Sequence, residues 1–336
     1  MFLARSFGAT GYEERIVRSD GAWSVLHRPS APSARTPVWR PSELGPPPAV
    51  ECVHPDRAVA RRVMAASAVP CGDDAVGARL PLLYNASVCV SLVRAKTSRS
   101  SVYTDHDGDA LVCVIEGGAA LETPFGLLRV GAAESVWMPR HAPHRWRVEG
   151  PVFGALVLET RGELRVPGGY TNGRGQLGTR APYGERDLRA PVWTPRTERP
   201  NGRRETIAAS CRRDGRRYDT ETDDDALAVV GWDGVVYPVA FGWEVASSRG
   251  YARDRATLFE HDACAVTTCV TRDDLAPPPS GDDLVTLAVD GEGEAVVVFE
   301  PGCAAPRSVG VAGGVTITLH AREPLRLTPN GAMLAG

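Results

Sequence analysis

Histidine is the side chain best suited to hold a metal or move a proton near neutrality, and three of the chain's seven histidines fall close together. His106 stands just ahead of an apolar run at 110–116 (ALVCVIE), and His141 and His144 sit in the turn that opens a later run. Asp105, Asp107 and Asp109 flank the first of them. Two or three neutral imidazoles and a carboxylate make up a donor set that a divalent metal takes. His106, His144, His141 and Asp109 are therefore the candidate metal ligands. The competing reading makes His106 and His144 turn residues with ordinary hydrogen bonds.

The elements that must position these residues read as short strands. The chain has 336 residues, 43% apolar and 24% charged, with 35 Gly and 27 Pro to punctuate it. Segments 87–93, 110–116, 119–123, 127–130, 135–138, 145–148 and 152–158 are β-prone and separated by turns rich in Gly, Pro and Asp, one of them Pro124-Phe125-Gly126. With no helix between them they imply a sandwich or barrel. A second β region holds strands at 206–211, 217–221, 227–230, 263–270, 284–289, 295–299, 315–319 and 325–328. Prolines from Pro29 to Pro48 make 1–55 an irregular arm, and 56–66 reads as a short helix capped by Asp56. The two β regions echo each other: 130–146 resembles 311–327, each a turn, a strand, a polar turn with His, and a strand. The expected division is an arm at 1–55, a first β domain at 56–165, a connector at 166–204 and a second β domain at 205–336.

Net charge is −3 and pI near 6.2, which argues against a basic nucleic-acid surface. Apolar runs fall short of the ~20 residues of a membrane helix, and 1–10 shows no secretory pattern. Cys89, Cys113, Cys264 and Cys269 lie in strand-like runs and are expected to be buried reduced thiols, consistent with a cytoplasmic protein. Arg203, Arg204, Arg212, Arg213, Arg216 and Arg217 read as a solvated surface. Asp223–Asp225 and Asp282-Asp283 read as solvated turns.

The histidine frame itself is similar to that of the cupins, H-x-H-x(3–4)-E-x(6)-G followed by P-x-x-x-x-H. Segments 103–117 (YTDHDGDALVCVIEG) and 139–144 (PRHAPH) fit it. His106 takes the second imidazole position and His144 the third. The first falls on Tyr103 or Thr104 and the carboxylate on Ala110, with Asp105, Asp107 or Asp109 as shifted substitutes. Five stretches together resemble the homogentisate 1,2-dioxygenase family: 11–28 (GYEERIVRSDGAWSVLHR), 80–94 (LPLLYNASVCVSLVR), 107–126 (DGDALVCVIEGGAALETPFG), 156–162 (LVLETRG) and 228–241 (AVVGWDGVVYPVAF). The last is the most specific, and the resemblance runs from about residue 10 to 330 with the C-terminal half shortened.

That resemblance implies an all-β protein of two tandem cupin (jelly-roll) domains with an irregular N-terminal arm. It implies Fe(II), held in the C-terminal cupin by two histidines and a glutamate, binding the ring oxygen of homogentisate together with O₂ and opening the ring to maleylacetoacetate in tyrosine and phenylalanine catabolism. It also implies self-association and a small aromatic substrate or ligand, with no nucleic acid and no membrane as partner. The family's ligand positions fall on or beside Ala288, Ala295 and Leu325 or Arg326, and its acid–base position near Ala256; Glu294 is one residue from the carboxylate position. None of the aligned positions carries the family's chemistry, and the C-terminal half holds only His261 and His320. Trp232, Asp233 and Tyr237 are expected to be structural. Two readings follow. In the first the chain is a diverged, inactive paralogue without a bound metal, a binding or structural module. In the second it is a metalloenzyme or small-molecule-binding bicupin with its site at His106 and His144, completed by an Asp or His141.

Overall fold

Among the described residues, β-branched and apolar runs cut by tight turns fold into four sheets. The computed structural model describes residues 11–29, 37–42, 61–98, 101–193, 206–243, 256–270, 281–289, 294–302 and 315–334. A short helix, Pro329–Leu334, is the one α-helix among them. The largest sheet has eight strands, in the order Val239–Gly242, Glu134–Met138, Ala110–Thr123, Arg145–Thr160, Val88–Ala95, Leu80–Tyr84 and Arg326–Leu327, with Gly126–Gly131 alongside Ala110–Thr123. A four-stranded sheet orders Arg40–Pro41, Arg216–Thr222, Ile207–Arg213 and Val102–Asp105, the last two parallel. A six-stranded sheet orders Ala256–His261, Cys264–Val270, Val315–Ala321, Asp283–Val289, Ala295–Glu300 and Arg62–Ala65. Three strands, Tyr12–Val17, Trp23–Arg28 and Gly231–Gly234, form the fourth.

The large sheet is buried on both faces, which explains why its strands read as unbroken apolar runs rather than alternating ones. Val112, Val114, Ala155 and Val157 point into one core with Tyr103 of the four-stranded sheet, Trp146 and Phe153. Their neighbours Leu111, Cys113, Leu156 and Leu158 point into the other, with Val285, Leu287, Phe299 and Leu319 of the six-stranded sheet. Each fully buried Val or Leu contributes roughly 1.5–3 kcal/mol, so both cores hold the same sheet in place.

Several expectations are corrected. The arm is not irregular throughout: Tyr12–Val17 pairs with Trp23–Arg28. The signal was Ser19-Asp20-Gly21, a turn in which Gly21 takes φ +85° and Asp20 accepts from the Ala22 amide at 2.9 Å. Within 56–66, Arg62–Ala65 is a strand paired with Ala295–Glu300, because its apolar residues serve the sheet core rather than a helix face; residues 56–60 lie outside the described residues, as do Arg203 and Arg204. Segments 110–116 and 119–123 are one strand, as are 145–148 and 152–158. Gly117, at φ +68°, and a register shift after Glu149 bend this pair without breaking it. Leu227–Val230 is not a strand; its buried side chains fill the core ahead of Gly231–Gly234. Strands 207–213, 216–222, 231–234 and 239–242, read from sequence as part of the second β domain, all pair with strands from the first half of the chain.

Candidate functional site

Asp105 ends one strand and sets the geometry around the histidines, its Oδ1 accepting from the amides of Asp107 (2.8 Å) and Gly108 (3.2 Å). The amide of His141 donates to the Asp105 carbonyl at 2.7 Å, and that of His106 to the Arg212 carbonyl at 2.9 Å. His141 is held at φ +67°, a left-handed conformation uncommon for residues other than glycine. These constraints bring the two imidazoles together, Nδ1 to Nδ1 at 2.9 Å. Burial, then the neighbouring His141 and Arg213, push His106 down to about 4, and burial and Arg140 lower His141 as well. Both rings are therefore neutral at pH 7, sharing one proton in a hydrogen bond.

The other two candidate ligands point elsewhere. His144 exchanges backbone hydrogen bonds with Tyr103 (2.8 and 2.9 Å), its Nδ1 lies 3.0 Å from the Ala142 carbonyl oxygen, and its buried ring packs edge-on to Tyr103 at 5.4 Å. Trp146 and Phe153 stack beside it, 5.3 Å between centroids. Asp109 is fully buried and accepts four hydrogen bonds: from Arg18 Nη1 (3.0 Å), Trp137 Nε1 (3.0 Å), the Leu164 amide (2.9 Å) and the Arg140 amide (2.8 Å). It clamps the first hairpin to the large sheet. Among the described residues, no three His, Cys, Asp or Glu side chains gather as a metal would require.

The structure adds a charged network that sequence reading missed. Glu159, on the large sheet, receives Arg79 Nη1 at 2.8 Å and has Arg212 Nη1 at 3.7 Å. Arg212 also reaches Asp105 and Asp107, each at 3.3 Å. Arg212 and Arg217 are buried, not the solvated surface their sequence pattern suggests. Hairpin Ile207–Arg213/Arg216–Thr222 turns them toward the carboxylates, while Asp107 holds the turn by accepting from the Asp214 and Gly215 amides. Burial raises Asp105 to about 6 despite Arg212, with Glu159 adding to the rise. Burial alone would raise Glu159 too, but Arg79, Arg212 and Arg217 together hold it below the usual carboxylate range. The available signal was Glu159 inside LVLETRG, a carboxylate in an otherwise apolar strand, which must find a cation.

In the six-stranded sheet, Ala288 and Ala295 are buried apolar positions, and Leu325 and Ala256 are buried as well. On one face, cross-strand pairing puts Glu260, Ala265, His320, Leu284 and Glu300 in a single row. His320 Nε2 lies 3.0 Å from Thr267 Oγ1, and Glu300 faces Arg61 at 3.4 Å. His261 Nε2 donates to the Arg161 carbonyl (2.9 Å) and its Nδ1 accepts from the Ala263 amide (3.1 Å), a structural tautomer. Glu294 is bonded by the Ser67 hydroxyl. Asp283, expected in a solvated turn, is buried and accepts from the Gly302 and Leu325 amides, each at 2.6 Å. Trp232 donates to the Phe125 carbonyl at 3.1 Å and packs edge-on against the Phe125 ring, in keeping with a structural role. Cys89, Cys113, Cys264 and Cys269 are buried cysteines outside any disulfide. Among the described residues no helix is long and apolar enough to cross a membrane.

Parts of the chain are similar to known proteins. Residues 77–242 match the family described as homogentisate 1,2-dioxygenase N-terminal. The candidate dioxygenase SSO1533 of Saccharolobus solfataricus is 24% identical over 239 residues, 70% of this chain and 56% of that protein, so the chain spans little more than half of its relative's length. Among solved structures, YlbA from E. coli is 7% identical over 80% of this chain and 94% of its own, with a TM-score of 0.41. A cupin-2 domain protein from Shewanella frigidimarina is 17% identical over 24% of this chain and 79% of its own, with a TM-score of 0.22.

Proposed function

We propose that this chain, which is a homogentisate dioxygenase-like cupin, acts as a small-molecule-binding protein in which the iron-dependent ring opening of that family is not retained. One observation carries the reading. The positions that align with the family's iron ligands fall on or beside Ala288 and Ala295 and near Leu325 or Arg326; Ala288, Ala295 and Leu325 are buried apolar side chains and Arg326 is an exposed guanidinium. Fe(II) in a facial triad takes two imidazoles and a carboxylate and leaves positions open to substrate and O₂. Apolar side chains donate nothing to a metal, and Glu294, His261 and His320 already bond to Ser67, Arg161 and Thr267. The residues present do not fit an Fe(II) facial triad.

The expected ligand is a small aromatic molecule, and the chain is expected to self-associate in a cytoplasmic setting. The test is metal analysis of the purified protein together with oxygen uptake in the presence of homogentisate. Iron well below one per chain, not raised by anaerobic Fe(II) loading, and no oxygen uptake are the expected results. Stoichiometric iron with oxygen consumed would overturn the reading.

A second reading rests on His106 and His141. Their Nδ1 separation of 2.9 Å is compatible with two cis ligands of one divalent ion. It supplies only two donors, since His144 and Asp109 are engaged elsewhere. Zn²⁺ or Fe²⁺ titration decides it: stoichiometric binding abolished by His141→Ala supports this reading, and binding unchanged in that variant removes it.

A further inference from the structure

We infer that the chain holds a binding cavity for the short apolar end of a small molecule, under the connector that joins the two largest sheets. This goes beyond the proposed function, since nothing in the resemblance or in the comparisons assigns a site there. Val239–Gly242 is an edge strand of the eight-stranded sheet, and Ala256–His261 is an edge strand of the six-stranded one. The connector is fastened to both. Arg165 exchanges two backbone hydrogen bonds with Glu260 (2.8 and 2.7 Å), and Arg189 two with Ala240 (2.8 and 2.9 Å). Between these ties the Tyr183 hydroxyl donates to the Leu258 carbonyl at 3.0 Å. Held in this way, the connector roofs the gap between the two edges. A cavity of about 50 Å³ lies beneath it. Trp137, Phe241, Phe259 and Tyr183 are its aromatic walls, and Leu258 with the half-buried Leu188 and Val239 adds aliphatic ones.

The walls dictate the ligand class. Phe259 lies 5.8 Å from Trp137 and 5.8 Å from Phe241, tilted by 37° and 53°. Flat rings at these angles do not mesh, which leaves the cavity between them. The polar atoms of the walls are engaged elsewhere: Trp137 Nε1 donates to Asp109 at 3.0 Å, and Tyr183 is spent on Leu258. Arg18, 5.0 Å from the Trp137 ring centre, further fixes the plane of that indole. The surface of the cavity is therefore apolar throughout. Water finds no hydrogen-bond partner on such a surface, and a polar or charged group would give up its solvent for nothing. An apolar group loses nothing on entry and supplies the dispersion contacts that the wall atoms lack on this side. At roughly 10–15 Å³ per water-sized group, the volume takes about four carbons. The complementary occupant enters by a short hydrocarbon end and keeps its polar end outside.

The experiment uses the intact chain with ¹³C-labelled leucine and valine methyl groups, and the straight-chain alcohols from ethanol to hexanol as probes. Leu258→Met identifies the Leu258 methyl resonances by their disappearance. In the wild type these resonances are expected to shift saturably. Affinity is expected to rise about fourfold with each added methylene up to butanol and to level off beyond it, once the tail fills the cavity. Leu188→Phe and Val239→Phe, both at half-buried positions, put a ring into the same space. Either is expected to weaken butanol binding about tenfold or more, and a loss in either one supports the proposal. No saturable shift of the Leu258 methyls with butanol up to about 50 mM overturns it, and this needs no variant. So does affinity that climbs evenly through to hexanol, as an open apolar surface would give, or butanol affinity unchanged in both filled variants.

Discussion

Asp109→Asn separates the two roles that this residue can be given. As a metal ligand, its loss should empty a site and leave the fold nearly intact. The structure assigns it a different role, because its carboxylate is fully buried and accepts from Arg18, Trp137 and the amides of Leu164 and Arg140. The asparagine keeps the shape but removes the charge opposite buried Arg18 and turns one acceptor into a donor facing donors. Leaving one partner of a buried ion pair uncompensated costs about 3–5 kcal/mol. Arg18 keeps its bond to the Leu164 carbonyl (2.6 Å) and a longer approach to Glu163 (3.8 Å), which places the expected loss near the lower end. With a urea m-value of about 3 kcal/mol/M, the unfolding midpoint falls by about 1 M. The assay is urea unfolding followed by tryptophan fluorescence, run beside metal analysis. A midpoint shift below about 0.2 M with altered metal content would refute the structural assignment.

Three further outcomes follow from the same geometry. His106 is held at about 4 against an ordinary 6.5, so the unfolded state binds the extra proton first and stability is lost as pH falls from about 6.5 toward 4; discounted for its partial exposure, this amounts to about 1–2 kcal/mol. Because Asp105 titrates near 6 with the opposite sign, the check is a difference: His106→Asn should lose less stability than the wild type between pH 7 and 4.5, and parallel profiles would contradict the assignment. Gly126→Ala should destabilise by about 1–3 kcal/mol or displace the 192–193 segment, as thermal unfolding and a crystal structure would show, because its Cβ meets the Val192 oxygen at 2.4 Å. The thiols of Cys89, Cys113 and Cys264, pushed up to about 12 mainly by burial, should resist iodoacetamide at pH 8 in the native protein and react after unfolding. Peptide mapping that finds them alkylated natively would refute their burial.

Strand content was legible because Val, Leu and Ala runs bounded by Gly, Pro and Asp have few alternatives. Pairing was harder to read. A strand buried on both faces carries no alternation to say which neighbour each face meets, so nothing local reveals that Leu156 packs toward one core and Val157 toward the other. The same limit hid the destination of 207–213. Its Arg212-Arg213 pair looks like a surface from composition, and the carboxylates that bury Arg212 lie far away in the chain, at Asp105 and Glu159. Arg62–Ala65 suffered in the other direction: helix propensity is a weak prior, and a vacant edge beside Ala295–Glu300 overrides it.

The histidine frame shows most directly what a motif can and cannot convey. Its backbone geometry persists, since Tyr103 and His144, two of the positions it names, do face each other through a pair of backbone hydrogen bonds. What differs is the chemistry of the side chains placed there. The first imidazole position falls on Tyr103 or Thr104; Tyr103 presents a buried phenol there, and burial beside Asp105 and Glu159 raises its pKa and keeps it protonated. His144 packs against that ring, and Trp146 and Phe153 stack in the space beyond. A metal and its substrate need donors and room together. Here aromatic rings take the room and the neighbouring carboxylates pair with arginines, so this part of the fold is held as a core.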